Sequence, residues 1–377
     1  MKNKDKNTWK PIRIPFGNAG FTAKKRSRNV FVVDQYKSQL EELFELRHPK
    51  SRFLGKNNEE VRNFVEKITK GRIDKHGNWF YFPWSGKLVH YLPERLHQEL
   101  RTARNQLLIT KEEQKKFYGS DVGILGMSVG SHVALTIAMT GGGRNIRLAD
   151  LDEISGSNLN RIRTGFSDLG INKAISVARQ ICEINPYAEI DLYQKGVTKQ
   201  NIAKFISGLA ILIEETDNPF IKIKSREIAR KMGVPVIMAA DNGDGIIVDV
   251  ERYDLNKKLP LLHGIIGNFL SEDLKEVSAK DLPKIIARMA GADIADIKML
   301  ESVTQVGKKI YSWPQLGTAA TMCGSVLAYL ARRIVLEDKK IKSGRYEVNP
   351  DSIFESGYNT KNLKKERLKF LKKIGLD

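Results

Sequence analysis

The chain is poor in cysteine, with only Cys182 and Cys323 among 377 residues. Two thiols cannot build a disulfide framework. Without a Cys-x-x-Cys pair, the ligand spacing of a structural zinc site is missing as well. Long hydrophobic runs are also absent: the longest apolar stretches reach about ten residues, half of what a membrane-spanning helix needs. The opening residues, Met1-Lys-Asn-Lys-Asp, are charged and hold no apolar core of a secretory signal. These absences predict a cytoplasmic protein without membrane contact.

Acidic residues are scarce relative to basic ones, 44 against 63, giving a net charge of +19. Such a surplus ordinarily points to nucleic acid or an anionic membrane. Its distribution argues otherwise. Residues 1–28 carry +8 and residues 359–377 carry +5, which leaves +6 over the 330 residues between them. Nucleic acid is therefore not the expected partner. Hydrophobic residues at 41% and charged residues at 28% describe an ordinary globular chain. The length suits one large α/β domain with an accessory piece.

Residues 1–28 are polar and basic, with Pro11 and Pro15, and read as a flexible tail. Residues 29–100 read as a small α+β accessory region. It has helices from Tyr36 and from Asn57 to Thr69, and an aromatic hairpin, Trp79–Leu92, turning at Ser85-Gly86. Two descriptions fit it, a winged-helix-like module or a cap on the larger domain. Residues 101–350 form the main domain, and residues 351–377 a second basic tail, with 361–373 solvated in preference to helical.

Within the main domain, short apolar runs alternate with helical stretches: Val122–Leu125, Ile146–Ala149, Glu189–Leu192, Ala210–Ile213 and Val234–Ala239. That alternation predicts βαβ units and a Rossmann-like, doubly wound, mostly parallel sheet. The glycine-rich run Asp241–Asp254 predicts a turn into antiparallel C-terminal strands, with Asp241 near a substrate as the other reading. Helices are expected over 280–291 and Leu316–Ile334.

The first strand runs into Gly126-Met-Ser128-Val-Gly130-Ser131, with a helix expected from His132. A glycine turn between strand and helix lets backbone amides meet a phosphate. This one is a residue short of G-x-G-x-x-G, with Ser128 in place of the middle glycine. The same residues spell G-x-S-x-G, the nucleophile elbow of α/β-hydrolases, but of the two histidines after Ser128, His132 is too close in the chain to serve as base, which leaves His263 alone. The second strand ends in Asp150-Leu-Asp152, where dinucleotide and mononucleotide folds hold a ribose hydroxyl. Ser157-Asn158-Leu-Asn-Arg161, Lys173 and Asp217-Asn218 follow. In an open parallel sheet these groups can converge beyond the carboxyl ends of the strands.

Taken in order, D-x-D, S-N-L-N-R, Lys173 and D-N resemble the signature of the ThiF/MoeB/HesA superfamily, which includes the ubiquitin-activating enzymes. Arg101-Thr-Ala-Arg104-Asn-Gln106 and Asn185-Pro186 resemble that superfamily's flanking motifs. The resemblance implies an adenylyltransferase that uses ATP and Mg²⁺ to activate a carboxylate, releasing pyrophosphate. It implies nucleotide contacts at Gly126, Ser128, Gly130, Asp150, Asp152, Asn158, Arg161 and Lys173. It implies catalytic roles for Arg104, Arg161, Lys173 and Asp217, with the metal on Asp217. Arg104 would act across a homodimer. The implied acyl substrate is a ubiquitin-like or sulfur-carrier protein, or a precursor peptide.

The resemblance breaks at the thiols. Thioester-forming members carry a downstream cysteine, and residues 218–322 hold none. The expectation is adenylation without a covalent thioester, or transfer to an outside nucleophile. Two other classes stay open: a nucleotide- or nucleic-acid-binding module without catalysis, and an NAD-dependent oxidoreductase, which leaves S-N-L-N-R unexplained.

Overall fold

The computed structural model describes residues 6–53, 58–278, 281–356 and 360–375. The expected helix starts at residues 57 and 280 lie outside these ranges, as do the outermost residues of both basic tails. The chain forms two compact units, Met1–Lys115 with Ala178–Ala188, and Lys116–Val177 with Glu189–Asp377.

The first unit contains β1 (Ile12–Ile14), α1 (Ala19–Arg26), β2 (Phe31–Val33), α2 (Tyr36–Arg47), α3 (Glu59–Thr69), β3 (Asn78–Phe82), β4 (Lys87–Tyr91) and α4 (Glu94–Arg101). Its four strands lie in the order β1-β3-β4-β2, with β3 and β4 as the expected antiparallel hairpin. Asn58 starts α3 by accepting the Glu60 amide at 2.9 Å. One apolar cluster gathers Ile14, Phe21, Trp79 and Leu88; another gathers Tyr36, Leu40, Val65 and Leu92. The stretch taken from composition as a flexible tail thus carries a strand and a helix. Ile14 and Phe21 anchor it against Trp79, and two well-placed apolar side chains outweigh a basic average.

The second unit follows α5 (Lys111–Tyr118). Its elements are β5 (Asp121–Leu125), α6 (Val129–Met139), β6 (Asn145–Ala149), α7 (Lys173–Ile184, which contributes to both units), β7 (Glu189–Tyr193), α8 (Ile202–Ile206), β8 (Ile211–Glu214), α9 (Pro219–Met232), β9 (Val236–Asn242) and β10 (Gly245–Glu251). There follow α10 (Leu282–Ala290), α11 (Ile297–Val303), α12 (Gly317–Val335), β11 (Gly344–Val348), α13 (Asp351–Phe354) and α14 (Thr360–Ile374).

The seven strands lie in the order β11-β10-β9-β8-β5-β6-β7. Strands β9, β8, β5, β6 and β7 are parallel; β10 and β11 add on antiparallel. This is the expected doubly wound sheet. The chain moves outward from β5 through β6 to β7, then returns to place β8 on the other side of β5. The crevice at that reversal is where such sheets bind ligands.

Two helices differ from expectation. Helix α6 begins at Val129, three residues before His132, because the chain enters helix directly from the glycine turn. The segment 361–373 is helical and packed: Leu371 is buried with Ala292, Ala295 and Leu300, and Arg367 Nε donates to the Ala295 carbonyl at 2.5 Å. Its many lysines lie outside that apolar stripe. No helix among the described residues is long and apolar enough to cross a membrane.

Candidate active site

The site is built where β5, β6 and β8 end. Gly126 has φ +82°, a left-handed conformation, and an added Cβ would come within 2.5 Å of the Glu215 carbonyl oxygen after β8. Glycine is required on both counts. The turn is then locked to β6: the Met127 amide donates to Asp150 Oδ2 at 2.6 Å, and the Asp152 amide donates to Asp150 Oδ1 at 2.8 Å. Burial lifts the Asp150 carboxyl above its usual range, against the pull of these amides and of Lys173. Lys173, buried at the start of α7, pairs with the exposed Asp152 at 2.8 Å. Gly130 and Ser131 lie in the first turn of α6, and Ser131 Oγ donates to the Ser128 carbonyl.

Arg161 reaches the same turn. Its Nε donates to Ser128 Oγ at 3.3 Å, and its Nη1 donates to the Ser157 carbonyl and Asn160 Oδ1, each at 3.0 Å. Burial lowers the Arg161 guanidinium from its ordinary value, opposed by Asp241. Asn158 is buried, and its Oδ1 accepts the Ser155 amide at 3.1 Å, ordering the turn that carries Arg161.

His132 spends both ring nitrogens elsewhere. Nε2 donates to the Arg161 carbonyl, and Nδ1 accepts from Arg163 Nε at 3.1 Å. Burial lowers its pKa, with the nearby Arg163 adding to the effect and the Arg161 carbonyl opposing it. His263 lies against Asp249 on β10, at 3.3 Å. Ser128 therefore faces a guanidinium, His132 is committed to other partners, and His263 lies against Asp249 instead of Ser128.

After β8, Asp217 is exposed, beside the Asn218 cap of α9. Among the described residues, no group of three or more His, Cys, Asp or Glu side chains gathers to hold a metal. A single carboxylate fits Mg²⁺ that arrives with a nucleotide, since phosphate oxygens and waters complete its octahedron.

Asp241, half-buried at the end of β9, accepts from Gln315 Nε2 at 3.1 Å and from the Cys323 thiol at 3.6 Å. Asn160 Nδ2 donates to the Gln315 carbonyl at 2.6 Å, joining this group to the Arg161 turn. Asp241 lies in β9, paired with Ile246 of β10, so the glycine-rich run does turn into an antiparallel strand. Gln315 was missed because nothing in its local sequence marks it.

Arg104 belongs to the first unit. It is exposed on the short turn Ala103–Asn105, beside a pocket of about 460 Å³ lined by His90, Tyr91, His97 and Arg101. The remaining expected site residues all lie in the second unit.

The sequence profile of the ThiF family matches residues 102–369. Uncharacterized protein MT1398 of Mycobacterium tuberculosis is 34% identical over 296 residues, covering 78% of this chain and 41% of that protein. The tRNA threonylcarbamoyladenosine dehydratase of Bacillus subtilis is 32% identical over 145 residues, 38% of this chain and 56% of that protein. The chain thus spans about half the length of these two relatives. Adenylyltransferase and sulfurtransferase MOCS3 of Drosophila yakuba is 34% identical over 138 residues, 35% of this chain and 30% of that protein. A crystal structure of E. coli MccB with ATP superposes with a TM-score of 0.46 at 14% identity, covering 83% of this chain and 87% of that one. With most of its length matched by the family profile, the chain belongs to the ThiF family.

Proposed function

We propose that the second unit binds ATP at the ends of β5, β6 and β8 and transfers its adenylyl group to a carboxylate. The carrying observation is the lock between Asp150 and the glycine turn, with Arg161 on Ser128 and Lys173 beside Asp152. Each Asp150 oxygen accepts one amide and keeps a second lone pair for a ribose hydroxyl. In the reaction a carboxylate oxygen bonds to the α-phosphorus, the bond to the bridging oxygen breaks, and pyrophosphate leaves. Two anions meet in that step. Arg161 and Lys173 are preorganised cations that stabilise the developing charge without waiting for solvent to reorganise. Asp217 would hold Mg²⁺, which when bound neutralises phosphate charge. Arg104 would act on the phosphates of a second copy in a homodimer.

The acyl donor in this reading is a protein or peptide C-terminus, such as a ubiquitin-like or sulfur-carrier protein or a precursor peptide. The relatives named adenylyltransferase and sulfurtransferase support the adenylyl transfer in this reading. Neither thiol favours a thioester. Burial pushes Cys182 up to about 12, and burial with Asp241 nearby pushes Cys323 well above the usual thiol range. Both thiols are buried, so in this reading the acyl-adenylate passes to an outside nucleophile.

ATP–pyrophosphate exchange, measured with a panel of ubiquitin-like C-termini and precursor peptides, tests the reading. Asp217→Ala should lower exchange about a hundredfold. Exchange that survives this substitution unchanged would sink the assignment.

A further inference from the structure

Asp217 sits in a five-residue run, Glu214–Asn218, whose other side chains are all turned to internal work. Glu214 Oε1 accepts the Thr216 amide at 2.9 Å, and Thr216 Oγ1 accepts the Asn218 amide at 3.2 Å. Asn218 Oδ1 accepts the Ile221 amide at 3.1 Å, capping α9. Glu215 Oε1 accepts the Ala239 amide on β9 at 2.8 Å, while its carbonyl packs against Gly126. Asp217 alone in this run has a side chain with no such internal bond, and it is exposed.

The other oxygen of Glu214 begins a buried chain of charges. Glu214 Oε2 accepts Lys222 Nζ at 2.8 Å and Arg226 Nη1 at 2.5 Å. Arg226 Nε donates to Glu251 Oε2 at 2.5 Å. Glu251 Oε1 accepts the Tyr253 hydroxyl at 2.5 Å and the Leu262 amide at 2.8 Å. Glu214, Arg226 and Glu251 are all closed off from water. Burying three charges costs several kcal/mol per ion before pairing, and an apolar cluster of the same volume would often be as stable. Stability therefore gives a poor account of this chain. Its geometry gives a better one, because it ends on the amide one residue before Asp217.

We propose that Glu214, held by Arg226 and Glu251, is a positioning residue that fixes the Thr216–Asn218 turn so that Asp217 presents its carboxylate to the metal of Mg-ATP. The inference rests on the proposed role of Asp217. A carboxylate fixed on a rigid turn meets the strict octahedral geometry of Mg²⁺ without being ordered at binding.

The test measures the dissociation constant of α,β-methylene ATP with and without MgCl₂, in the full chain. The quantity of interest is the ratio of the two constants, the metal's contribution. Asp217→Ala should bring the ratio close to one. Glu214→Gln should reduce it about tenfold while metal-free binding, which rests on Asp150, stays as in the wild type. Thr216→Val, at a half-exposed position, removes the acceptor of the Asn218 amide and should reduce it in the same direction. An unchanged ratio in Glu214→Gln and Thr216→Val, alongside a lost ratio in Asp217→Ala, overturns the positioning role and leaves the metal on Asp217. Equal weakening with and without metal, together with a lowered Tm, also overturns it, as a purely structural role would behave. An unchanged ratio in Asp217→Ala removes the metal from Asp217 and this inference with it.

Discussion

His90 in the first unit and Glu214 in the second are both shut away from water, and each is satisfied by named partners. The His90 ring lies between Tyr36 and Trp79, 4.2 Å from each centroid, with its nitrogens on Asp34 and the His76 carbonyl. The two rings that sandwich it are core residues, while Asp34 is exposed. Glu214 is bonded as fully, yet its contacts run outward to the turn of Asp217. His90 is stacked into a core by its ring, whereas Glu214 is built by hydrogen bonds into the turn that carries Asp217. A similar contrast separates His132, closed between Arg161 and Arg163, from Asp150, whose carboxylate keeps lone pairs at the ligand edge.

Three changes would break or sharpen this contrast. The largest expected effect is on the first unit: Trp79→Ala should cost about 3–5 kcal/mol, the usual loss for a buried tryptophan. Urea unfolding followed by fluorescence would measure it, and nucleotide affinity of the folded fraction should be unchanged. A loss of affinity with stability intact would erase the contrast. Next, Arg161→Ala should lower ATP–pyrophosphate exchange about a hundredfold or more, as for other preorganised cations at a reacting phosphate, with little change in Tm. Exchange reduced only in step with Tm would mean that Arg161 is structural, like His132.

The smallest effect is pH-dependent and belongs to the first unit. Burial lowers His97 to about 4, although its Nε2 lies 3.0 Å from the Ile184 carbonyl. The folded pKa is below the unfolded one, so the unfolded chain takes up the proton first. Stability is complete above about pH 6.5, falls as pH drops toward 4, and is flat below. The loss amounts to about 3 kcal/mol at most. His97→Gln, which keeps a donor for the carbonyl, should remove that slope from the pH dependence of the urea midpoint. A slope that persists would place the acid sensitivity elsewhere.

Much of the second unit was legible in the chain because its central strands, such as β5 and β8, are buried on both faces. Such strands must read as short apolar runs, and the helices between them must be amphipathic. The Gly126 turn and Asp150 were legible for a related reason: their chemistry is local, a left-handed glycine and an acid at a strand end. What escaped notice depends on distance. Arg226 looks like a surface residue of α9 until Glu251, on a strand two places across the sheet, is known to meet it. The spacing of Lys222 and Arg226, one turn apart behind Glu214, was the available signal. Gln315 meets Asp241 across 74 residues of chain, with no periodicity to announce it. The strand β1 and helices α1 and α14 escaped because averages over basic stretches hide the few apolar residues that dock them.

The crossing of α6 and α12 constrains the site from behind. An added Cβ at Gly324 would come within 2.4 Å of His132 Cβ, so the two helix axes touch almost backbone to backbone there. One residue earlier on α12, Cys323 points its thiol at Asp241; on α6, His132 holds the Arg161 carbonyl. Position 324 is thus a wedge point. A single methyl group there would push apart, in one movement, the wall that carries the Asp241 contact and the wall that carries Arg161. The spacing of the cleft is in this sense set by a missing side chain, and substitutions at residue 324 offer a way to tune it without touching any polar group.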